Sequence, residues 1–376
     1  MREVEQILKL WDRTAQAGES AVLATVVKTS GSSYRNPGAR LLLTQTGQRA
    51  GSISGGCLED DLVKKAWWLT ENGPVIRRYD TTPDGEIGTG FGLGCNGIIY
   101  VLLERLIPKE RNVLDLIREV RASRQPAAWA HVVTPLEAAG QHLSIDGRGT
   151  VRHCLAPSVS VSAVKEQVAL SLAGGDLFHL QIDAAELFIE TLRPAIRLLI
   201  FGAGDDAVPL SDLAKYLGWH VSVIDGRAHY ARREKFPNAD AVIVRNTSEA
   251  LAESFDRWTV AVLMTHSYSQ DLDLLEQIAS NPPAYLGILG PRKRSEQLLL
   301  DAGIDAAQLA PSLHSPMGLD IGADGPEQVA VAVIAEIQAF LNGREGGQLR
   351  NRQGSIHARE QVENPSPLYV RSIICA

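Results

Sequence analysis

The segment Ile200-Phe-Gly-Ala-Gly-Asp-Asp-Ala, residues 200–207, decides the fold of the second half of the chain. It follows the apolar run Leu198–Phe201 and opens a helical pattern over Ala207–Leu217. Gly202, Gly204 and Ala207 fit G-x-G-x-x-A. Two glycines there permit a tight turn and close approach of a phosphate, and a small third residue lets helix and strand pack. The next apolar run, Val221–Asp225, ends in an acid about 20 residues on, where a ribose-binding carboxylate is expected. Outward from there, apolar runs at Thr259–Thr265 and Tyr285–Leu289 alternate with helical patterns at Asp271–Ala279, Ser295–Ala302 and Glu327–Leu341. Strand–helix alternation predicts a parallel sheet covered on both faces, a Rossmann-type domain. Two details bear on its ligand. Asp205 and Asp206 stand where a helix N-terminus meets a pyrophosphate; they suit the helix dipole but repel an anion. His266 ends one strand, and Arg292 leads a basic helix start, Pro291-Arg-Lys-Arg, so both are candidate ligand contacts at the carboxyl edge of the sheet.

The first half has another texture. Val4, Ile7, Leu8 and Trp11 form a helical stripe that Gly18 ends, and Ala21–Thr29, Arg40–Thr46, Val75–Tyr79 and Ile98–Leu103 read as strands. Between them lie three loops rich in glycine: Gly31-Ser-Ser-Tyr-Arg-Asn-Pro-Gly, Gly51-Ser-Ile-Ser-Gly-Gly-Cys and Gly88-Thr-Gly-Phe-Gly-Leu-Gly-Cys-Asn-Gly. Glycine lets backbone N–H groups converge on an anion or a ligand ring. A thiolate placed there binds a soft metal or handles sulfur, which makes Cys57 and Cys95 the candidate catalytic and metal-binding residues; the bland alternative is a pair of small buried thiols. Cys57 begins a helix, whose N–H groups lower a thiol's pKa, while Glu59, Asp60 and Asp61 in the same turn oppose the effect. The ligand-binding set drawn from the loops is Ser32, Ser33, Arg35, Ser54, Gly55, Gly56, Gly94 and Asn96; from the second half it is Gly202, Gly204, Asp225, His266 and Arg292.

With 376 residues, 45% hydrophobic and 22% charged, the chain is that of a folded protein of two domains. A linker at Arg193-Pro194 is expected to divide residues 1–192, mixed α/β, from a Rossmann-type domain over 193–345, with a mobile tail over 346–376. Net charge −7 argues against a nucleic-acid binder. No apolar run reaches the ~20 residues that span a bilayer, and four cysteines make no disulfide framework, so a cytoplasmic protein with reduced thiols is expected. No C-x-x-C, H-E-x-x-H, G-x-S-x-G or Walker pattern occurs.

These residues resemble the XdhC/CoxI family. The likeness is carried by Gly31-Ser-Ser-Tyr-Arg-Asn-Pro-Gly-Ala, Gly51-Ser-Ile-Ser-Gly-Gly-Cys-Leu-Glu and Gly92-Leu-Gly-Cys-Asn-Gly in the first half. In the second it is carried by Phe201-Gly-Ala-Gly, Val223-Ile-Asp-Gly-Arg, Met264-Thr-His-Ser-Tyr, Leu286-Gly-Ile-Leu-Gly-Pro-Arg and Met317-Gly-Leu-Asp-Ile-Gly-Ala. The resemblance implies an accessory protein for molybdenum hydroxylases such as xanthine dehydrogenase and carbon monoxide dehydrogenase. Such a chaperone binds molybdenum cofactor (a molybdopterin), supports its sulfuration with a cysteine desulfurase and delivers it to the apo-molybdenum hydroxylase. A homodimer is compatible with it. Two departures stand out: Asn96 where many relatives have glycine, and Asp205-Asp206 where much of the family has His-Val. The competing reading is an NAD(P)-dependent oxidoreductase built on the Rossmann half, which leaves the glycine–cysteine loops without a role.

Overall fold

The computed structural model describes residues 2–31, 33–80, 97–174, 178–249, 251 and 254–353. They form two compact units, Glu3–Pro194 and Ala195 onward, the latter with the first two residues.

The first unit is built on two five-stranded sheets. One has the order β3-β2-β1-β5-β4, from β1 (Ala21–Gly31), β2 (Arg40–Thr44), β3 (Arg49–Gly51), β4 (Val75–Asp80) and β5 (Gly97–Leu106), every neighbour antiparallel. The other has the order β8-β7-β6-β10-β9, from β6 (Ala127–Thr134), β7 (His142–Ile145), β8 (Val151–His153), β9 (Phe178–Ile182) and β10 (Ala185–Leu192), again antiparallel. Leu58, Leu62 and Ala66 of helix Cys57–Leu69 pack on Val22, Ala24, Leu41, Leu43 and Leu103 of the first sheet. Val164 and Val168 of helix Val161–Gly174 cover the second through Ala130, Val132, Leu143 and Leu187. Fully buried leucines such as Leu62 each stabilise the unit by roughly 2–5 kcal/mol against truncation to alanine. The expected amino-terminal helix is present as Arg2–Gln16 and buries Ile7, Leu8, Leu10 and Trp11. Helix Val113–Ser123 starts where it does because the Asn112 side chain accepts the Leu114 N–H while Asp115 accepts that of Asn112.

Between the sheets lies an apolar patch, Val27, Ile76, Leu102, Val133 and Phe188, and beside it a buried polar group. Arg40 pairs with Glu190, both nearly inaccessible, and also donates to the Gly38 carbonyl. Burial lowers the Arg40 pKa to about 10, with Glu104 opposing, and pushes Glu104 up to about 7, with Arg40 opposing.

The second unit is the expected Rossmann-type parallel sheet. Its order is β13-β12-β11-β14-β15-β16, from β11 (Arg197–Phe201), β12 (His220–Asp225), β13 (Ala241–Val244), β14 (Thr259–Leu263), β15 (Tyr285–Ile288) and β16 (Leu313–His314), with every pair parallel. The first strand of the domain sits in the middle, and the direction of winding reverses between β11 and β14. Ligands of open α/β sheets bind at such a switch point, beyond the carboxyl ends of the strands. No helix among the described residues is long and apolar enough to cross a membrane.

Candidate functional site

Strand register places an end of the first glycine-rich segment beside an end of the third. Gly31 at the end of β1 is the cross-strand partner of Gly97 at the start of β5. Asp80, ending β4, pairs with Ile98, and Gly51, ending β3, pairs with Leu41 near the start of β2. The first and third segments therefore meet at one end of the sheet, while Gly51, through Leu41, is level with Ala24, seven residues before Gly31. Ser32 and residues 81–96, which include Gly94, Cys95 and Asn96, lie outside the described residues, as does the tail from residue 354.

The second loop is organised by a residue that the sequence marked only as one of three acids opposing a lowered Cys57 pKa. Glu59 is 3% exposed and turns back into the loop. Its carboxylate accepts the N–H groups of Ile53, Ser54 and Gly56 at 2.9, 2.9 and 2.8 Å, together with the hydroxyls of Ser52 and Ser54. Burial pushes its pKa up, but the hydrogen bonds from Ser54, Ile53 and the rest outweigh that and bring it to about 2. The anion that the converging amides hold is thus the protein's own carboxylate. What the loop offers a ligand is its outer surface, the exposed Gly55 and Gly56; Cys57 is the first residue of the helix that follows. The signal was present in the sequence, since an acid three residues after the N-cap Gly56 is the spacing of a capping box.

The first loop is tied to the second. Arg35 pairs with Glu3 at 2.7 Å, and the other oxygen of Glu3 accepts the Ser52 N–H at 2.8 Å. Tyr34 lies against Gly55. Arg35, Ser54, Gly55 and Gly56 are accordingly brought into one surface, with Ser33 on the same loop as Arg35. Cys154, the described free cysteine, is elsewhere, on the second sheet beside His142 at 3.1 Å. Among the described residues no group of three or more His, Cys, Asp or Glu side chains could hold a metal.

In the second unit Gly202, Gly204, Asp225 and His266 gather at the switch point. Gly202 has φ +117, and a Cβ there would lie 2.2 Å from the Met264 carbonyl oxygen, so β11 and the segment after β14 approach only because it is glycine. The dinucleotide determinants, however, are engaged within the chain. Asp225 accepts the Ala203 N–H at 2.8 Å and the fork of Arg227, Nε at 2.9 Å and Nη2 at 2.7 Å. Burial pushes the Asp225 carboxyl up, yet these bonds hold it below the usual carboxylate range. An Asp206 oxygen lies 2.4 Å from where a Gly204 Cβ would be, and the other is 2.8 Å from His266 Nε2. His266 is held at φ 59, a conformation costly for a non-glycine residue. Asp205 pairs with Lys235, whose ammonium also donates to the Ala203 carbonyl. Arg292 begins the helix Arg292–Asp301 and is exposed; it is Arg294, two residues on, that reaches the buried Asp271 at 2.7 Å.

Comparison with known proteins now decides the family. A family model described as XdhC and CoxI family matches residues 14–80, and one described as XdhC Rossmann domain matches residues 198–337. A Bacillus subtilis protein named as a probable subunit of xanthine dehydrogenase is 34% identical over 330 residues, covering 87% of this chain and 94% of its own. The chain belongs to the XdhC and CoxI family. A second relative, the Escherichia coli molybdenum cofactor insertion chaperone PaoD, is 23% identical over 341 residues, 88% of this chain and 86% of its own. Among solved structures, one described as a xanthine dehydrogenase from Bacillus halodurans superposes with a TM-score of 0.74 at 28% identity, over 90% of this chain and 96% of that one. The XdhC Rossmann match covers the switch point, and the XdhC and CoxI match covers the first two glycine-rich loops.

Proposed function

We propose that this chain is a carrier for molybdenum cofactor: it binds the cofactor on the glycine-loop surface of its first unit, supports its sulfuration together with a cysteine desulfurase, and delivers it to an apo-molybdenum hydroxylase. The observations that support this most are that Gly31 and Gly97, which bound the first and third glycine-rich segments, are in register, and that Tyr34 of the first segment lies against Gly55 of the second. The relative named for molybdenum cofactor insertion supports the same class of role. The residues present suit the cofactor's parts. Arg35, engaged by Glu3 through Nη2, has further guanidinium donors to offer a terminal phosphate, Tyr34 and Gly55 give a flat surface for a ring system, and Cys57 brings a soft thiol for a metal or a sulfur atom. When bound, the cofactor supplies the molybdenum centre that the client enzyme needs; this chain's residues hold and orient it. The oxidoreductase alternative loses ground because Asp225 and Asp206 are already committed to Arg227 and His266.

The test is co-expression of Cys57→Ala, Cys95→Ala and Cys154→Ala variants with an apo-hydroxylase, reading cofactor bound to the carrier as well as client activity. Cys57→Ala or Cys95→Ala should lower both, and Cys154→Ala neither. Unchanged cofactor retention in the Cys57/Cys95 double variant, at equal protein level, returns both thiols to a structural role.

A further inference from the structure

Tyr34 is 60% exposed, and its neighbours along the chain, Ser33, Arg35 and Asn36, are polar. Its position is nevertheless fixed. A Cβ built on Gly55 would lie 3.0 Å from Cε1, 3.2 Å from Cζ and 3.3 Å from Cδ1 of the tyrosine. Three adjacent ring carbons at nearly equal distances place that point above the ring plane, since a point beyond the edge would be markedly farther from the two flanking atoms. One face of Tyr34 therefore rests on Gly55, and the residue is nonetheless 60% exposed. Gly55 has φ +88, so a side chain there is excluded by backbone strain as well as by the ring. Both partners are braced from behind. The Gly55 N–H donates to Ser52 Oγ and the Gly56 N–H to Glu59, while Arg35, next to the ring, is held by Glu3.

We infer that Tyr34 is a stacking platform for the planar fused-ring part of the cofactor, the pterin, an inference that rests on the carrier function proposed above. An aromatic face offers offset stacking to a flat heteroaromatic ring without demanding a hydrogen-bond pattern. A ring mounted on a loop that hydrogen bonds have already ordered loses little freedom when it binds. Tyr34 is thereby a binding residue that selects for flatness.

The experiment uses the purified full chain and two probes, 6-carboxypterin followed by its own fluorescence and molybdenum cofactor followed by retention. In the wild type, 6-carboxypterin should bind with quenched fluorescence. Tyr34→Leu should weaken both probes roughly ten- to hundredfold and remove the quenching, while Tyr34→Phe, which keeps the ring, should match the wild type. Absence of 6-carboxypterin binding by the wild type, or equal affinity of the leucine variant, overturns the platform. Cofactor retention by the wild type separates the two claims: if it persists undiminished in Tyr34→Leu, the platform falls and the carrier function stands, and if the wild type itself retains none, the carrier function falls.

Discussion

Replacing Glu59 by glutamine tests whether an internal carboxylate holds the glycine loop. The carboxylate accepts five donors, three backbone N–H groups and two hydroxyls. A glutamine keeps one acceptor oxygen and adds an N–H₂ group that faces those donors. The folded pKa near 2, against an ordinary 4.5, measures the preference of the loop for the charged form. At 1.36 kcal/mol per unit this is about 3 kcal/mol, an order-of-magnitude figure. The folded pKa is depressed, so the contribution is present above the unfolded value and is lost as pH falls. It should be intact above about pH 5, roughly halved near pH 3 and absent below about 2. Hydrogen exchange of the peptide covering residues 52–58 is the direct assay, because it reads local opening. At pH 7 the variant should exchange about 100-fold faster than the wild type, and at pH 3 the ratio should shrink to about tenfold. A ratio that is near one at pH 7, or that does not change between the two pH values, would refute the account of the loop as a nest filled by Glu59.

Three further outcomes are expected. Calorimetry with NAD and NADP should show no affinity tighter than about micromolar, and an Asp205→Asn, Asp206→Asn double variant should bind about tenfold tighter or more; nanomolar binding by the wild type is the contrary result. Glu190→Gln should destabilise the first unit by about 3–5 kcal/mol in urea unfolding, because it strands the buried Arg40 charge; a loss under 1 kcal/mol would mean that Glu104 already suffices as its partner. Asp225→Asn should loosen the Ala203 turn and cost about 1–3 kcal/mol, read as a lower unfolding midpoint, with little effect on cofactor retention by the first unit.

The Rossmann half was legible because its signals are local. A strand, a Gly-x-Gly turn, a helix and an acid follow one another within one stretch, and the period of apolar residues changes with each element. The strand Ala241–Val244 is not announced in the same way, because it is four residues long and only partly buried, so it carries little pattern. The second sheet of the first unit has only weak strand signals for a related reason: Ala127, Ala128 and Ala130 in its central strand have low strand propensity, and burial between layers rather than alternation puts them there. At the candidate site the loops were readable and their wiring was not. Asp225-Gly-Arg227 reads as a ribose acid followed by a basic residue; that the arginine folds back on the acid depends on a turn that spacing does not announce. The meeting of Gly31 with Gly97 is a matter of strand register between segments far apart in the chain, and Arg35 meets Ser52 only through Glu3, a residue of the first helix.

The filled nest at Glu59 also bears on how cargo is released. A carboxylate tethered three residues from the loop's last glycine is present there at an effective concentration no free phosphate approaches. Residues 52–56 are thus ordered by the chain's own carboxylate before any ligand reaches their outer face, so loading there does not require that stretch to fold. For a protein proposed to pass its cargo to another, that prior ordering keeps the barrier to loading low. Affinity is left to the few groups on the surface, where a client enzyme can compete for them one at a time.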